Sequence, residues 1–352
     1  MDEVAELRQA VPLAPGEFRA RYAAAFRTRP WIYWIDFSLS ALLGWALLIG
    51  SLRAPIGSPA HALLTLGSVV LLLRAALFIH ELAHRRRGEL PGFELWWNLL
   101  FGFPMQVPSL MYVGSHLDHH KRNAFGTDRD PEYAPIARWP RVRIVLFVLA
   151  VACLPIALPL RWGVLGPLSR LAPALRRLTV ARASTLAING SYRRPDPEGD
   201  QLGRWLLQET GAGLVAWCGA LAFWLGWLPP QAWLQWWLVA SGVWIVNQVR
   251  TLAAHGYVHG EEPVDAEGQL LDSINLRGWS WLTLLAAPVG MRFHALHHFL
   301  PGIPYHGLGA VHRALLAELP PDSPYRRTVR DGLLPTLQSL WGNASRSQAA
   351  RG

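Results

Sequence analysis

Residues 78–87 read FIHELAHRRR, which places His80 and His84 one helical turn apart, with Glu81 between them. Residues four apart on an α-helix lie on one face, and the pattern H-E-x-x-H is typical of zinc proteases. Here the motif ends a long apolar run and is followed at once by three arginines. It therefore indicates either a membrane-embedded protease or another kind of metal site at a membrane surface.

The whole chain has the composition of a membrane protein. Of its 352 residues, 51% are hydrophobic and only 16% are charged, whereas soluble domains have about 25% charged residues. The net charge of +9 comes almost wholly from arginines that flank apolar runs. This placement favours anionic lipid headgroups over nucleic acid as the partner. We therefore expect an integral membrane protein that binds no nucleic acid.

Four apolar runs are long enough to cross a hydrocarbon layer about 30 Å thick. They predict spans at residues 31–51, 59–78, 205–228 and 231–253. Two further apolar stretches, residues 93–113 and 144–160, contain internal prolines, which interrupt straight helices. These stretches are predicted to be re-entrant or to lie in the membrane plane.

The arginines predict how the chain is oriented in the bilayer. They precede the first predicted span and follow the second, so the positive-inside rule places the N-terminus and the HELAH motif in the cytoplasm. The predicted fold is all-α and integral to the membrane, with the histidine motifs forming a cytoplasmic cap. The predicted divisions are a cytoplasmic segment at 1–30, a membrane domain at 31–318 and a cytoplasmic tail at 319–352. We expect the membrane to be the cytoplasmic membrane of a bacterium.

Most of the 13 histidines fall into three boxes, one H-x-x-x-H and two H-x-x-H-H. They are His80 and His84; His116, His119 and His120; and His294, His297 and His298. The predicted topology places all three boxes at the cytoplasmic mouth of the membrane. A catalytic zinc needs only three protein ligands, so this many histidines favour two metals with open positions. Imidazole suits zinc, copper, iron and nickel.

The zinc hydrolase interpretation uses only the first box. With Glu81 as the general base, it would leave both H-x-x-H-H boxes unexplained. Glu81 is better interpreted as a residue that orients an imidazole, a role that Asp118, Asp130 and Glu132 could share. A non-catalytic scaffold would not need eight converging histidines.

The three boxes resemble those of the membrane fatty acid desaturase superfamily, as do HLDHHKRNAFGTDRDPEY at 116–133 and HHFLPGIPYH at 297–306. The resemblance covers roughly residues 31–315. It implies two non-haem irons, O2 as co-substrate, and removal of hydrogen from an unactivated C–H bond. The iron ligands that it implies are His80, His84, His116, His119, His120, His294, His297 and His298. It also favours His255 as a ninth ligand, although the family has an asparagine where this chain has Thr251. Asn247 and Thr251 are expected to support the site from the fourth span.

The predicted function is desaturation of a fatty acyl chain held in a lipid or a thioester. One alternative is a diiron hydroxylase or ketolase acting on an acyl, alkane or carotenoid substrate. An alternative of another class is an intramembrane zinc hydrolase that uses His80, Glu81 and His84. The sequence contains no flavin or dinucleotide fingerprint and no fused cytochrome motif. An external electron donor is therefore expected, either a ferredoxin, a rubredoxin or a cytochrome with its reductase.

Two further expectations concern single positions. Asp36 and Arg74 lie at similar depths in the first two spans, so they could form an ion pair, although Arg74 could also extend to the interface by itself. After the fourth span, Gly256 and Gly260 predict that the helix frays, because glycine weakens a helix interior. A helix continuing only as far as His255 would fix that residue better than His259.

Overall fold

The computed structural model describes residues 15–86, 88–260, 262–278 and 280–349. Its regular structure is almost entirely helical, which confirms the all-α prediction. The chain divides into two compact units. We call residues 30–116 and 148–246 the membrane unit, and the described residues of 15–29, 117–147 and 247–349 the C-terminal unit.

The α-helices and β-strands of the described residues are as follows in chain order. The first half comprises α1 (Pro15–Arg21), α2 (Pro30–Ser51), α3 (Pro59–Ala76), α4 (Phe78–His84), α5 (Phe93–Trp97), α6 (Ser115–His119), α7 (Arg141–Ala150), α8 (Leu154–Leu160) and α9 (Gly166–Ser169). The second half comprises α10 (Pro173–Ala183), α11 (Asp200–Trp224), α12 (Pro230–Thr251), α13 (Ala266–Asp272), β1 (Asn275–Leu276), α14 (Trp281–Ala286), α15 (His294–Phe299), α16 (Tyr305–Glu318), α17 (Pro324–Arg327), β2 (Val329–Arg330) and α18 (Leu333–Ala349).

Within the described residues, four helical stretches are long and apolar enough to cross a membrane: Pro30–Ser51, Pro59–His84, Arg141–Ser169 and Asp200–Trp224. Three of them correspond to predicted spans. The helix α12, which covers most of the other predicted span, has 22 residues, and its role as a span stays a prediction.

Residues 144–160, predicted to be re-entrant or to lie in the membrane plane because of their prolines, belong instead to the stretch Arg141–Ser169, which is a candidate span by length and composition. Pro155 lies in the first turn of α8, where its missing N–H costs little, and Pro159 lies inside that helix. A 3₁₀ turn at Val151–Cys153 and a π turn at Arg161–Leu165 connect the helices on either side. Such turns change the hydrogen-bond spacing without ending the helical path.

Close contact between α2 and α3 organises the membrane unit. A Cβ at Gly44 would lie only 2.8 Å from the side chain of Leu72, so glycine is what allows the two backbones to approach. The Ser68 hydroxyl donates to the Gly44 carbonyl at 2.9 Å. The expected ion pair also forms, since Nε of Arg74 donates to Oδ1 of Asp36 at 2.8 Å. It gives each intramembrane charge a partner of opposite sign.

The C-terminal unit has its own apolar core. Phe18 of α1 packs with Leu296 of α15 and with Leu308, Val311 and Leu315 of α16. The three α16 residues are spaced three and four apart, so they form one face of that helix. This core fixes α15, which carries the third histidine box.

A short parallel ladder also supports α15. It pairs β1 with β2 through Asn275 and Val329. The Asn275 side chain donates to Oγ1 of Thr328 at 2.9 Å, and its Oδ1 accepts from the backbone N–H of Leu296 at 3.1 Å. One buried amide thus ties the start of α15 to the ladder.

Candidate metal site

The histidines of the second and third boxes are carried on short helices. The helix α6 contains His116 and His119 and ends there, so His120 falls just beyond it. The helix α15 contains His294, His297 and His298. On α15, His294 and His298 are spaced i, i+4 and their Nε2 atoms lie 3.1 Å apart, as expected for one helical face.

His255 is positioned by backbone pairing rather than by helix α12. The expectation that the helix continues to His255 is wrong, because α12 ends at Thr251. The Gly256 N–H donates to the Asp272 carbonyl at 2.7 Å, and the Ile274 N–H donates to the Ala254 carbonyl at 2.9 Å. These two bonds flank His255 and fix the backbone on both sides of it.

Four imidazoles converge inside the C-terminal unit. They belong to His119, His255, His294 and His298, and one nitrogen of each lies within 4.8 Å of the others. Nε2 of His255 lies 2.9 Å from Nε2 of His294 and 3.2 Å from Nε2 of His119. Three of the four side chains belong to buried residues.

This geometry fits a bound metal ion. Metal–imidazole bonds of about 2.1 Å place two ligand nitrogens about 3.0 Å apart at a right angle and about 3.4 Å apart in a tetrahedron. The close nitrogen–nitrogen distances of the cluster match that range. An all-nitrogen donor set suits zinc, copper, iron or nickel.

Two buried carboxylates face the outer nitrogens of the cluster. Nδ1 of His119 lies 2.9 Å from both carboxylate oxygens of Asp130. Asp130 also accepts the backbone N–H groups of Gly126 and Glu132, at 3.0 and 2.8 Å. A carboxylate on the outer nitrogen selects the imidazole tautomer that offers Nε2 to a metal.

Asp272 plays the corresponding part for His255. Its Oδ2 lies 3.3 Å from Nδ1 of His255, and its Oδ1 accepts from the Tyr133 hydroxyl at 3.1 Å. Neither Asp272 nor Tyr133 belongs to a histidine box, so motif spacing alone does not identify them. Gln269, also missed, lies 3.2 Å from Nδ1 of His298 through its amide nitrogen.

Burial disfavours the charged, protonated form of two histidines in the cluster. It lowers the pKa of His255 and places the pKa of His298 well below its usual value. Burial is the largest influence on the pKa of His119 and lowers it, but the carboxylates of Asp130, Glu132 and Asp272 together raise it by more, so the net shift is upward. Because a metal binds the neutral imidazole, the lowered pKa values keep His255 and His298 ready for a metal at neutral pH.

A separate group of histidines lies inside the membrane unit. The rings of His80, His84 and His116 have centroids 4.7 to 5.1 Å apart. The ring of Tyr112 stacks on that of His116, with centroids 4.7 Å apart. Three neighbouring imidazoles are the number that a metal with an open position needs.

The remaining two box histidines form a pair in the C-terminal unit. Nε2 of His120 lies 3.2 Å from Nε2 of His297. His259 has a different position, with its Nε2 3.9 Å from Oδ1 of Asp272. It approaches the Asp272 oxygen that does not face His255, and it does not belong to the cluster.

The other residues expected to support the site have varied contacts. The Tyr33 hydroxyl donates a short hydrogen bond to Glu81, and Lys121 donates to Asp118 at 2.7 Å. Asn247 and Thr251 both accept hydrogen bonds from Arg250, at 3.1 and 3.0 Å. Within the described residues, neither of those two side chains hydrogen-bonds a histidine, and both support the last turn of α12 instead.

Comparison with known proteins identifies the family. Residues 57–330 match the sequence profile of the fatty acid desaturase family. The chain belongs to the fatty acid desaturase family. This family member is 37% identical over 323 residues to a protein named ceramide hydroxylase from Caulobacter vibrioides (strain NA1000 / CB15N), with 90% of each chain covered. No solved structure matches it significantly.

The resemblance expected from the histidine boxes is thereby confirmed. As a fatty acid desaturase family member with four apolar helices, the protein is an integral membrane oxidoreductase of the desaturase and hydroxylase type that acts on lipids. The family membership gives no support to the zinc hydrolase alternative.

Proposed function

We propose that the protein is an O2-dependent diiron hydroxylase that inserts one oxygen atom into a C–H bond of a ceramide-type lipid. The observation that carries the reaction class is the cluster of His119, His255, His294 and His298, within a chain of the desaturase family. The substrate class is supported by the relative named ceramide hydroxylase, because the similarity extends over 90% of both chains.

Nine histidines are proposed to hold two irons, and the cluster in the C-terminal unit provides four of them. Iron in such a site supplies the redox chemistry that activates O2, which zinc does not. The protein would bind the irons through neutral imidazoles. The carboxylates of Asp130 and Asp272 orient the rings of His119 and His255. Burial of these side chains excludes bulk water from around the ligands.

The balanced reaction requires electrons from outside. A C–H bond, O2, two electrons and two protons give an alcohol and one water. Because the sequence contains no flavin, dinucleotide or cytochrome motif, a ferredoxin, rubredoxin or cytochrome with its reductase is the proposed donor. The proposed site faces the cytoplasm, as the positive-inside rule predicts, and the bacterial relative favours a bacterial membrane.

The sequence alone favoured desaturation, and the comparisons move the proposal to hydroxylation. Both reactions begin by removing hydrogen from an alkyl C–H bond, so the histidine boxes do not distinguish them. The name of the relative does favour one of them. Hydroxylation of a ceramide-type lipid therefore replaces fatty acyl desaturation as the leading proposal.

Lipid mass spectrometry of cells with and without the intact gene tests the proposal. The intact gene should produce ceramides that are one oxygen atom heavier, and His119→Ala should abolish them. His259→Ala is the matched control, because His259 lies outside the cluster. Ceramides that instead become two hydrogens lighter would contradict hydroxylation, and an unchanged ceramide profile would contradict the substrate class.

A further inference from the structure

Three arginines of the membrane unit surround one buried carboxylate, that of Glu209 on α11. Nη2 of Arg161 lies 2.9 Å from Oε1, and Nη1 of Arg176 lies 2.8 Å from Oε2. Nη2 of Arg170 lies 3.3 Å from Oε2. We call Arg161, Arg170 and Arg176 the arginine cluster. It combines three positive charges with a single negative charge.

The charge of this cluster is not balanced within the described residues. Glu209 is the one carboxylate there that pairs with any of its three arginines. Arg161 belongs to a stretch apolar enough to cross a membrane, and its side chain is only 5% exposed. Buried charges are costly unless they are paired. Glu209 therefore offsets only one of the three positive charges, and an anion from outside the described residues would offset the others.

The cluster also has unused hydrogen-bond donors. Nη1 of Arg161 and Nη2 of Arg176 are buried and have no hydrogen-bond partner within the described residues. Buried polar groups are almost always hydrogen-bonded in native proteins. The Arg170 side chain is 43% exposed, so it lies where a ligand can reach the cluster.

The surface beside the cluster is apolar. Leu168 on α9, Leu171 just beyond it and Leu178 on α10 are all exposed, and Leu171 is 80% exposed. Exposed leucines next to arginines are typical of segments that lie at the headgroup level of a bilayer. A soluble anion would make no contact with this apolar surface, whereas a lipid would cover it with its acyl chains.

We propose that the arginine cluster is a binding site for the phosphate of an anionic phospholipid, whose acyl chains contact Leu168, Leu171 and Leu178. Guanidinium groups match phosphate oxygens in geometry and form strong charge-assisted hydrogen bonds with them. The bound phosphate supplies both the missing negative charge and the missing acceptors. This site is independent of the metal ligands and of the proposed hydroxylase activity.

Lipid selectivity of the full-length protein tests the proposal. The protein is placed in nanodiscs of phosphatidylcholine with or without phosphatidylglycerol, and lipid retention is measured by native mass spectrometry at low and high salt. Arg176→Gln should weaken phosphatidylglycerol retention about 10-fold to 100-fold at both salt concentrations. Arg177→Gln, an exposed neighbour on α10, is the matched control and should equal the natural protein at high salt, where general surface attraction is screened.

If Arg176→Gln does not fold, Arg170→Gln is the second variant, because its side chain is more exposed. Equal losses in Arg176→Gln and Arg177→Gln at high salt would overturn the proposal, since they would indicate only general surface attraction. Inorganic phosphate that stabilises the protein in phosphatidylcholine as much as phosphatidylglycerol does would overturn the lipid assignment in favour of a soluble anion.

Glu209→Gln separates a lipid site from a purely structural ion-pair cluster. The change leaves three guanidinium charges without a carboxylate, so the unfolding temperature should fall in phosphatidylcholine. Adding phosphatidylglycerol should raise the unfolding temperature of Glu209→Gln by more than it raises that of the natural protein. An equal fall in both lipids would show that no lipid anion reaches the cluster.

Discussion

Changing Asp272 to asparagine should weaken iron binding without disturbing the fold. Oδ1 of Asp272 accepts from the Tyr133 hydroxyl at 3.1 Å, and an asparagine Oδ1 can keep that bond. The other oxygen lies 3.3 Å from Nδ1 of His255, where asparagine would present an N–H group. An imidazole that offers Nε2 to a metal carries its proton on Nδ1, so two donors would then face each other.

The expected loss is about 10-fold to 100-fold in metal affinity, the range typical of residues that orient a ligand. It corresponds to about 1.4 to 2.7 kcal/mol. The assay is competition for Fe(II) against a chelator, with the unfolding temperature measured in parallel. Asp265→Asn is the matched control, because Asp265 caps α13 by accepting the Gly268 N–H at 2.7 Å, and asparagine caps equally well. Equal iron affinity in the two variants would refute the role assigned to Asp272.

Three further predictions concern other parts of the chain. His255→Ala should lose about one iron per chain, whereas His259→Ala should keep both irons. Elemental analysis of the purified variants measures this, and the reverse pattern would make His259 the ninth ligand instead of His255. Asp36→Asn and Arg74→Gln should each lower the unfolding temperature in detergent, with the double variant less harmful than the sum because neither charge is left stranded; strict additivity would show that the pair does not interact. Burial, followed by nearby arginines, lowers the pKa of His312 to about 4, so the unfolded chain binds more protons between about pH 6.5 and pH 4. The free energy of unfolding therefore keeps the whole contribution of neutral His312 above pH 6.5, and it decreases by up to about 3 kcal/mol as the pH falls from about 6.5 to 4. Chemical denaturation at several pH values should show a smaller decrease in His312→Gln. The same pH dependence in the variant and the natural protein would contradict this prediction.

Much of the architecture follows from sequence because apolar length and composition report directly on the bilayer. The runs at 31–51 and 59–78 appear as long apolar helices close to their predicted bounds. For Asp36 and Arg74 the sequence leaves open whether they pair or Arg74 extends to the interface by itself, and the structure shows the ion pair. The stretch 141–169 was harder to interpret, because 3₁₀ and π turns accommodate prolines that a regular helix would not.

The candidate site was only partly predictable from spacing. Spacings of three and four define a common face only while one helix continues. The helix α6 ends at His119, so His119 and His120 approach different histidines, His255 and His297. Asp272 was missed because it meets His255 through backbone pairing after the end of α12, which no local pattern encodes.

The most direct test of the proposed function follows the oxygen atom. The purified, iron-loaded protein is given ceramide in liposomes, reduced ferredoxin, and O2 labelled with the heavy isotope of oxygen. The expected product is a hydroxylated ceramide that carries one heavy oxygen atom, and its formation should depend on both iron and reductant. An unsaturated ceramide without heavy oxygen would contradict hydroxylation, because the lipid would then have lost hydrogen without gaining oxygen.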